Sequence, residues 1–598
     1  MLRSHEEPHT HADTLALIGP SPGLPLVVCL QRNPLLSGFI SVTWLRSTLH
    51  PRLWPRLETF LHAPLCSMSV QRARTLLPTV WRACTAHAQH CVHASALVTD
   101  TTAPQGGAHL QHRFFTPDSP LRVVVVGAGP AGCYTVDRLL HRYKDAVRVD
   151  LLERLPTPFG LVRFGVAPDH GATSRPVVER FTRLFNDPRV TLLCGAPVGG
   201  GGVPVSQLGS LYHAVVLAVG APGHKPLHIP GESSLRNVCS ARDFVAWYNG
   251  HPEHSHSPPV DLKSGAHAVI IGFGNVALDC ARLLLRQAAG LAATDMPSPV
   301  VGAFVTSTIR HVTLVARRSA AYVAATPKEL REVLHLPGVT CSVHNAELDA
   351  DDQNALEAGP RQHRRALEAL LAAASHPPDA GAHGGDARTL RVVFLRSPVE
   401  CLPRAEDKQS VGAVRLRANK MSGPPDRRVA RPVQPGAGGV EDDVLAADVL
   451  LSSVGYAGLP FDSDVPFDAK SATIPHAGGA VVHPDTGEPI SGLFTVGWAK
   501  RGATGIIGTN LTCAEETVAT LLAHADAGRL PEPSIRDCAP ADRVAQILHA
   551  LGVKVLTRDA WTKLDEAERA RGQAAGKPRE KMTSLSDMLA YAETCIKG

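Results

Sequence analysis

The sequence predicts an α/β protein with two doubly wound domains, each a parallel sheet covered by helices. A β-branched strand, a glycine-rich turn and an amphipathic helix follow one another at 121–143, and the same succession recurs at 267–286. The length of 598 residues gives room for about three to four domains of roughly 150 residues each. A glycine-rich turn between a buried strand and a helix is typical of dinucleotide-binding units. We therefore predict two such units in one chain.

Composition excludes several classes of protein. The chain is 44% hydrophobic and 19% charged, which is typical of a folded protein. The most apolar stretch, Leu15–Leu30, contains three prolines and is shorter than the roughly 20 apolar residues that a membrane span needs. The net charge is +5, of which residues 1–117 contribute +4, so the rest of the chain is nearly neutral. These figures predict neither a membrane-spanning segment nor nucleic-acid binding.

Cysteine usage argues against metal and disulfide chemistry. The 13 cysteines are scattered and none forms a C-x-x-C pair. That spacing is unsuited to a zinc ribbon, to an iron–sulfur cluster of the usual ligand spacing and to a dithiol redox centre. We predict no metal site, and thiols buried in a reducing compartment.

Residues 1–118 are predicted to be a disordered leader that carries a transit peptide. From Met68 onward the chain has several arginines among apolar and hydroxyl residues and no acidic residue before Asp100. This composition is typical of organelle targeting and favours mitochondria, with plastids as the alternative. A merely disordered tail is the other interpretation. Residues 1–67 are either an upstream extension of the reading frame or a second targeting element.

The first glycine turn follows the predicted strand at 121–126. Gly127, Gly129 and Gly132 suit the tight turn, the approach of backbone to a pyrophosphate and the packing of helix on strand, respectively. The next predicted strand ends in Glu153, 21 residues after Gly132, where a carboxylate accepts a ribose hydroxyl. The alternative is a purely structural glycine turn.

The second glycine turn contains Gly272 and Gly274, and it differs from the first at the ribose end. The strand that follows ends in Arg317 and Arg318, and paired guanidiniums bind a 2′-phosphate where an acid would repel it. This unit is therefore predicted to select NADP, against the alternative of a solvated basic pair. Arg317 lies 43 residues after Gly274, so we expect residues 288–307 to be looped out.

Seven blocks of the chain resemble the mitochondrial NADPH:adrenodoxin oxidoreductase family, also called ferredoxin reductases. The resemblance covers about residues 120–598, and the blocks occur in the family's order. They are PFGLVRFGVAPDH (158–170), AVVLAVGA (214–221), IPGE (229–232), GNVALD (274–279), KELRE (328–332), VGWAKRGATGIIGT (496–509) and RGQAAGKPREK (571–581).

The resemblance implies two Rossmann-like domains, with an NADP domain inserted into a split FAD domain. It places the first part of the FAD domain at 119–224, the NADP domain at 225–448 and the second part of the FAD domain at 449–598. The cofactors it implies are FAD and NADP(H).

The resemblance also implies which residues contact the cofactors. Trp498 is expected to stack over them, and the glycines at 502, 505 and 508 are expected to leave backbone N–H groups open at a helix N-terminus. The FAD residues are Gly127, Gly129, Ala131, Gly132, Glu153, Leu161, Val198, Trp498, Gly505, Ile506 and Ile507. The NADP(H) residues are Phe273, Gly274, Asn275, Val276, Arg317, Arg318, Glu329 and Gly505.

Three further features bear on the chemistry. His170 and Asp279 match a His and an Asp near the cofactors in the family, where they orient groups, relay a proton or simply pack. Phe273 stands where the family generally has Gln, and Ala316 stands where it has Gly before the arginine pair. These departures predict a changed affinity for NADPH.

The reaction that the resemblance implies is electron transfer from NADPH through FAD to a small acidic 2Fe-2S ferredoxin. Arg361, Arg364 and Arg365 lie on a predicted helix that corresponds to a basic segment in the family, and they are expected to face that partner. The alternative is a solvated run of charges. The expected location is the mitochondrial matrix. Peripheral association with the inner membrane, and the choice between iron–sulfur cluster assembly and P450 systems downstream, stay open.

Two other functions compete with this one. The small subunit of a glutamate synthase also pairs two nucleotide folds, but it carries a cysteine-rich cluster domain that this sequence lacks. A non-enzymatic NADP-sensing protein would have lost the flavin segment, whereas 498–509 is intact.

Overall fold

The computed structural model describes residues 115–375, 387–424, 427–436, 441–534 and 538–597. The leader predicted at 1–118, apart from residues 115–118, lies outside the described residues, and so does the transit peptide within it. Two Pro/Gly/Asp-rich stretches, 375–387 and 423–439, are predicted from their composition to be surface loops. Most of the first also lies outside the described residues.

The described residues form a series of strands and helices that alternate along much of the chain. The strands are β1 Leu121–Val126, β2 Val147–Glu153, β3 Val190–Cys194, β4 Ala214–Leu217, β5 Gly223–His224, β6 Val238–Ser240, β7 His267–Ile271, β8 His311–Val315, β9 Val339–His344, β10 Arg388–Val393, β11 Arg396–Pro403, β12 Val411–Ser422, β13 Val429–Pro432, β14 Asp443–Ala446, β15 Val449–Ser452, β16 Tyr456–Ala457, β17 His476–Ala477, β18 Ala480–Val482, β19 Pro489–Thr495 and β20 Leu556–Thr557.

The α-helices fill most of the connections between these strands. They are α1 Pro130–Tyr143, α2 Leu161–Phe164, α3 Gly171–Phe185, α4 Val205–Leu211, α5 Ala241–Tyr248, α6 Asn275–Leu285, α7 Ala289–Ala292, α8 Ser298–Val305, α9 Pro327–Leu334, α10 Ala350–Ala358, α11 Arg361–Ser375, α12 Trp498–Arg501, α13 Thr509–Asp526, α14 Pro540–Ala550, α15 Arg558–Ala574 and α16 Leu585–Lys597. Short 3₁₀ turns cover Lys144–Ala146, Pro168–His170 and Ala320–Tyr322. Among the described residues, no helix is both long and apolar enough to cross a membrane.

The first sheet has eight strands in the order β17-β18-β19-β4-β1-β2-β3-β20. Its centre is parallel, and its two ends are antiparallel. In β1 the four residues Val123–Val126 are all buried, as expected for a β-branched run at the middle of a parallel sheet covered on both faces. Because strands from both ends of the described chain join here, this sheet closes only after the whole chain is made.

The second sheet has six parallel strands in the order β6-β15-β7-β8-β10-β9. Together the two sheets confirm the predicted fold class of two doubly wound α/β units. Strand β15 pairs with β6 and β7, although it follows the boundary predicted at 448/449. The second unit therefore extends at least to Ser452.

The two connections between the sheets run side by side. Strand β5 leaves the first sheet and strand β16 returns to it, and they pair antiparallel through Tyr456 with His224 and Ala457 with Gly223. A two-stranded ribbon thus forms the covalent hinge between the units.

Two segments predicted as loops contain regular structure. The excursion at 288–307 is indeed inserted before β8, but it folds into α7 and α8, and Met296 between them is fully buried in the core of the second unit. The stretch at 423–439 contributes β13, which pairs with β12 in a small antiparallel sheet. Tertiary burial and strand pairing override the weak local signals of these segments.

A buried carboxylate joins the C-terminal segment to the first unit. Glu568 on α15 is fully buried, and it accepts two bonds from Arg163 Nη2, at 2.7 and 2.9 Å, and one from Arg579 Nη1 at 2.7 Å. The backbone N–H of Met582 donates to it at 2.9 Å. The carboxylate accepts four hydrogen bonds and has two cationic partners, and these interactions offset the free-energy cost of burying its charge.

The same segment reaches the second unit through two lysines. Lys577 Nζ donates to the carbonyl of Met296 at 2.8 Å, and Lys581 Nζ lies 2.9 Å from Asp295 Oδ2. Both lysine side chains are almost completely buried. The block 571–581, to which the sequence analysis assigned no role, therefore lies between the two units.

We predict that Glu568→Ala destabilises the fold strongly, because Arg163 loses its carboxylate partner and Arg579 keeps only Asp565, while both guanidiniums are largely shielded from solvent. The expected loss in free energy of unfolding is about 3–5 kcal/mol. Glu566→Ala is the matched control, since Glu566 is an exposed carboxylate on the same helix and should change stability by less than about 0.5 kcal/mol. Urea unfolding followed by circular dichroism measures both, and equal midpoints would contradict the assignment.

Candidate functional site

The first glycine turn is fixed from inside the protein at two positions. Gly127 has φ +108°, and its N–H donates to the carbonyl of Leu152 at 2.7 Å. A Cβ at position 127 would lie 2.5 Å from the carbonyl oxygen of Ala218, and a Cβ at Gly132 would lie 1.9 Å from that of Gly127. These two glycines are therefore required by packing alone.

Gly129 differs, because the space that a side chain would occupy at this position is open. A Cβ there would have Gly160 Cα, at 4.0 Å, as its nearest neighbour. Gly129 is the N-cap of α1 and supplies no side-chain hydrogen bond to the helix. The first N–H groups of α1 are thus left for a ligand, and a helix N-terminus of this kind suits the phosphates of a dinucleotide.

Glu153 ends strand β2 directly beside this turn. Its two carboxylate oxygens accept from the backbone N–H groups of Ala128 and Leu155, each at 3.0 Å. Burial raises the pKa of Glu153, although these backbone bonds favour the charged form. Glu153 therefore lies beside the first turn, and its contact with a ribose stays a prediction.

The predicted flavin segments converge on α1. Gly160 approaches Gly129, and a Cβ at Gly497 would lie 2.4 Å from the Cβ of Ala131. Leu161 begins α2 immediately after Gly160. Two segments separated by more than 300 residues therefore meet at one helix N-terminus.

The segment after Gly497 presents an aromatic ring and an exposed backbone. The Trp498 ring packs on Tyr456 with centroids 5.3 Å apart, and its Nε1 donates to the carbonyl of Thr504 at 3.1 Å. Gly505 has φ +80°, and Ile506 is 65% exposed, which is unusual for an isoleucine in a folded segment. Ile507 is partly buried against the core of the first unit.

Val198 lies apart from this group in the contacts of the structure. It forms an isolated bridge with Val203, in the loop that follows β3. The adjacent Gly199 packs on the carbonyl of Phe461. Its contact with a cofactor stays a prediction.

The second glycine turn repeats the geometry of the first. Gly272 has φ +131°, and its N–H donates to the carbonyl of Val315 at 2.8 Å. Gly274 is the N-cap of α6 without a side-chain bond, and a Cβ there would meet nothing within 4 Å. A second open helix N-terminus results.

The residues between and after these glycines have structural roles as well. Phe273 is 9% exposed, and its ring packs on Phe394 with centroids 5.4 Å apart, so its side chain belongs to the core. Asn275 Oδ1 accepts from the N–H of Thr326 at 2.9 Å, which ties the turn to the start of α9. Val276 is half-buried against the core of the second unit.

Arg317 and Arg318 are exposed at the end of β8. The carbonyl of Arg317 accepts from Asn419 Nδ2 at 3.0 Å, so β12 holds the arginine backbone in place. The Arg318 guanidinium lies over the Tyr322 ring, 5.7 Å from its centroid. Two positive charges thus face solvent at the ribose end of the second turn.

Charged groups from both units meet between the two turns. His170 Nε2 lies 2.7 Å from Glu332 Oε2, which joins the 3₁₀ turn of the first unit to α9 of the second. Burial raises the pKa of Asp279 to about 7, with Glu329 and Glu332 adding to the rise and His170 opposing it. One oxygen of Glu329 is buried without a hydrogen-bond partner among the described residues.

Sequence reasoning predicted His170, Asp279 and Glu329 here but missed Glu332, Asp169 and Arg282. The last two form a buried ion pair between the units. Glu332 and Asp169 lie inside blocks that carried the family resemblance, which was the available signal. Their pairing depends on the approach of the two units and has no trace in the local sequence.

The basic helix lies on the second unit. Arg361, Arg364 and Arg365 in the first turns of α11 are exposed, and with Glu368 they line an open cavity of about 430 Å³. None of the three makes an ion pair with a carboxylate that the structure describes. This surface has unsatisfied positive charge.

One group of potential metal ligands occurs among the described residues. Ligand atoms of His251, Glu253 and His254 lie within 4.8 Å of one another. However, Glu253 is ion-paired with Arg154, and Arg242 Nη1 lies 2.9 Å from His254 Nε2. Because guanidiniums already engage two of these side chains, we assign no metal to the group.

Comparison with known proteins gives concordant results. Residues 121–346 match the family described as pyridine nucleotide-disulphide oxidoreductase. The chain is 38% identical to the mitochondrial NADPH:adrenodoxin oxidoreductase of Arabidopsis thaliana over 81% of this chain and 98% of that protein. It is 40% identical to the human protein of the same name over 80% of this chain and 93% of that protein.

A solved structure is also similar. The fold matches that of Mycobacterium tuberculosis FprA in complex with NADPH, with a TM-score of 0.70 and 35% identity. The match covers 79% of this chain and 100% of that chain. The likeness therefore extends over both sheets.

The glycines yield a graded prediction. Gly132→Ala should fail to fold or lose several kcal/mol, because its Cβ clashes with the backbone. Gly129→Ala should fold but lose the nucleotide of the first site, since the Cβ occupies the open side of the turn. Gly274→Ala should keep that nucleotide and weaken only the second site.

Circular dichroism, the absorbance of bound flavin and titration with NADP⁺ separate these three outcomes. Bound flavin in Gly129→Ala at the wild-type level would show that the first turn does not hold the phosphates.

Proposed function

Because the chain belongs to the NADPH:adrenodoxin oxidoreductase family, we propose that it is a flavoprotein enzyme that passes electrons from NADPH through FAD to a ferredoxin-type acceptor. The observation that carries this function is the pair of open helix N-termini at Gly129 and Gly274, with an acid beside one and two arginines beyond the other. Such a pair fits two different dinucleotides.

FAD is assigned to the first site. Glu153 suits the unphosphorylated ribose of FAD, and the segment from Gly497 to Ile507 packs against the same helix, where it would line the flavin ring. The chemistry that bound FAD supplies is the conversion of a two-electron donor into two single-electron transfers. The protein's own residues bind and orient both cofactors and exclude competing reactions.

NADP(H) is assigned to the second site. Arg317 and Arg318 would bind the 2′-phosphate, and Gly274 with Val276 would present backbone to the pyrophosphate. The side chain of Phe273 lies in the core, so only its backbone is available to the nucleotide. Glu329, with its unpartnered buried oxygen, would accept a donor from the nicotinamide end.

We place the domain boundaries at the ribbon of β5 and β16. The FAD domain then comprises residues 119–222 and 458–598, and the NADP domain comprises the intervening chain. The reason is that β15 pairs within the six-stranded sheet and the ribbon follows it. His170 and Asp279 come from different domains, and we propose that they act on proton balance where the cofactors meet.

The acceptor is proposed to be an acidic 2Fe-2S ferredoxin. Arg361, Arg364 and Arg365 form an exposed surface without carboxylate partners among the described residues, and this charge would steer and orient an acidic partner. The location is mitochondrial, and we propose the matrix. The Arabidopsis relative is also named mitochondrial, which gives no support to a plastid location. Peripheral membrane association stays a prediction.

We predict that Arg317→Ala with Arg318→Ala removes the preference for NADPH. Each charge-assisted contact is worth about 1.5–3 kcal/mol, so kcat/KM for NADPH should fall by at least a hundredfold while that for NADH changes little. Arg391→Ala, an exposed arginine on the neighbouring strand β10, is the control. Steady-state kinetics with ferricyanide as acceptor measures the ratio, and equal losses for both nucleotides would show that the pair does not read the phosphate.

We predict that Arg361→Glu with Arg365→Glu impairs ferredoxin reduction and spares ferricyanide reduction. The two residues are one helical turn apart on the same face, so each attractive charge becomes repulsive. The control reverses Arg142 and Arg183, two exposed arginines of the FAD domain.

Ionic strength provides the second measurement. Wild-type ferredoxin turnover should fall as salt rises past about 0.15 M, where the screening length is roughly 8 Å. The reversed variant should be less sensitive. A parallel loss of ferricyanide activity would mean that these arginines support the fold rather than the partner.

A further inference from the structure

A buried ion pair connects the two domains next to the proposed reaction site. Asp169, in the 3₁₀ turn of the FAD domain, is paired with Arg282 on α6 of the NADP domain. Each of these side chains is only 4% exposed. Arg286, the residue that directly follows α6, also reaches Asp169 at 2.6 Å but is 37% exposed.

Arg282 has a second partner that Arg286 lacks. Its Nη2 lies 2.6 Å from Asp279 Oδ1, whereas its Nη1 faces Asp169. One guanidinium is therefore shared between two carboxylates that belong to different domains. The planar fork of arginine presents two nitrogens in fixed directions, whereas the three donors of a lysine radiate from one nitrogen on a shorter side chain.

Several titratable groups surround Asp279, the carboxylate that shares Arg282 with Asp169. The titratable groups facing Asp279 are His170, Glu329 and Glu332, besides the two ends of the bridge. Tyr248, Cys280 and Tyr456 also border it, but burial raises the pKa of all three, so they stay uncharged. Among the described residues Arg282 is the one guanidinium bonded to Asp279, so its position should affect how readily Asp279 ionises.

We propose that Arg282 is a positioning residue that bridges Asp169 and Asp279, and thereby fixes both the place and the charge of Asp279 at the domain junction. The proposal rests on the proposed function in one respect, namely that Asp279 lies where the two cofactors meet. It assigns Arg282 no contact with either cofactor.

Two substitutions in this bridge are expected to shift the ionisation of Asp279 in opposite directions. In Arg282→Lys the positive charge stays, but the shorter side chain with one terminal nitrogen holds the two carboxylates less well, so the ionisation of Asp279 should move up by about one pH unit. In Asp169→Asn the competing carboxylate is removed, and the Arg282 guanidinium then interacts with Asp279 alone. The ionisation of Asp279 should therefore move to lower pH. Arg286→Lys is the matched control, because it makes the same change in a second arginine that contacts Asp169 but has no bond to Asp279.

Two measurements on the flavin-loaded full-length enzyme test this. The first is the pH profile of NADPH-dependent ferricyanide reduction, where Arg282→Lys should shift the inflection near pH 7 upward and lower kcat about tenfold while KM changes less than about twofold. The second is calorimetry of NADP⁺ binding in buffers of different ionisation enthalpy, which counts the protons exchanged. The pH of greatest exchange should move as the kinetic inflection moves.

The outcomes separate the proposal from the proposed function. Absence of NADPH turnover in the wild-type enzyme would refute the function, whereas normal turnover with an unshifted profile in Arg282→Lys would refute the bridge. An upward shift in Asp169→Asn, or the same shift in Arg286→Lys as in Arg282→Lys, would also overturn it. If Arg282→Lys is isolated without flavin, the sign of the shift in Asp169→Asn decides alone.

Discussion

Both nucleotide sites depend on one backbone constraint: a buried strand must turn into a helix whose first N–H groups meet no side chain. Gly127 and Gly272 make the turn with positive φ and donate to the neighbouring strand. Gly129 and Gly274 then begin the helices without a cap. At α5 and α9, by contrast, Ser240 and Thr326 cap the helix. Other helices, such as α4 and α14, also begin without a side-chain cap, so what marks the two sites is the combination of a buried strand, a positive-φ glycine and a glycine N-cap.

The two open ends serve one reaction only if the domains are held at a fixed distance. A two-stranded ribbon is the covalent connection, and it is too slight to set an angle by itself. Buried charged groups provide the further contacts that fix the orientation of the domains. They are Lys577 and Lys581, and the ion pair of Asp169 with Arg282. Ion pairs of this kind contribute little net stability when compared with apolar packing, but breaking one leaves an unpaired buried charge. They are suited to specifying an orientation.

Electrostatics also separates the roles of the two sites. Glu153 is buried and bonded to the turn that it serves, which suits a cofactor held permanently. Arg317 and Arg318 are exposed, which suits a nucleotide that binds and leaves. The basic surface on α11 lies on the same domain as the arginine pair. In the proposed function, NADPH and the acidic acceptor would both be recognised by positive charge on one domain, while the flavin would be enclosed by the other.

The local sequence determined the glycine turns, the strands that precede them, Glu153 and the arginine pair, because each is specified by residues adjacent in the chain. It also predicted α11 and the division into two doubly wound units. Only the tertiary structure decided that β15 belongs to the second sheet, that 288–307 is helical, that Phe273 lies in the core and that Arg282 joins Asp169 to Asp279. These depend on burial and on contacts between residues more than 100 positions apart, as with Asp169 and Arg282. No local periodicity records such contacts, because the free energy that selects them exists only once the domains have met.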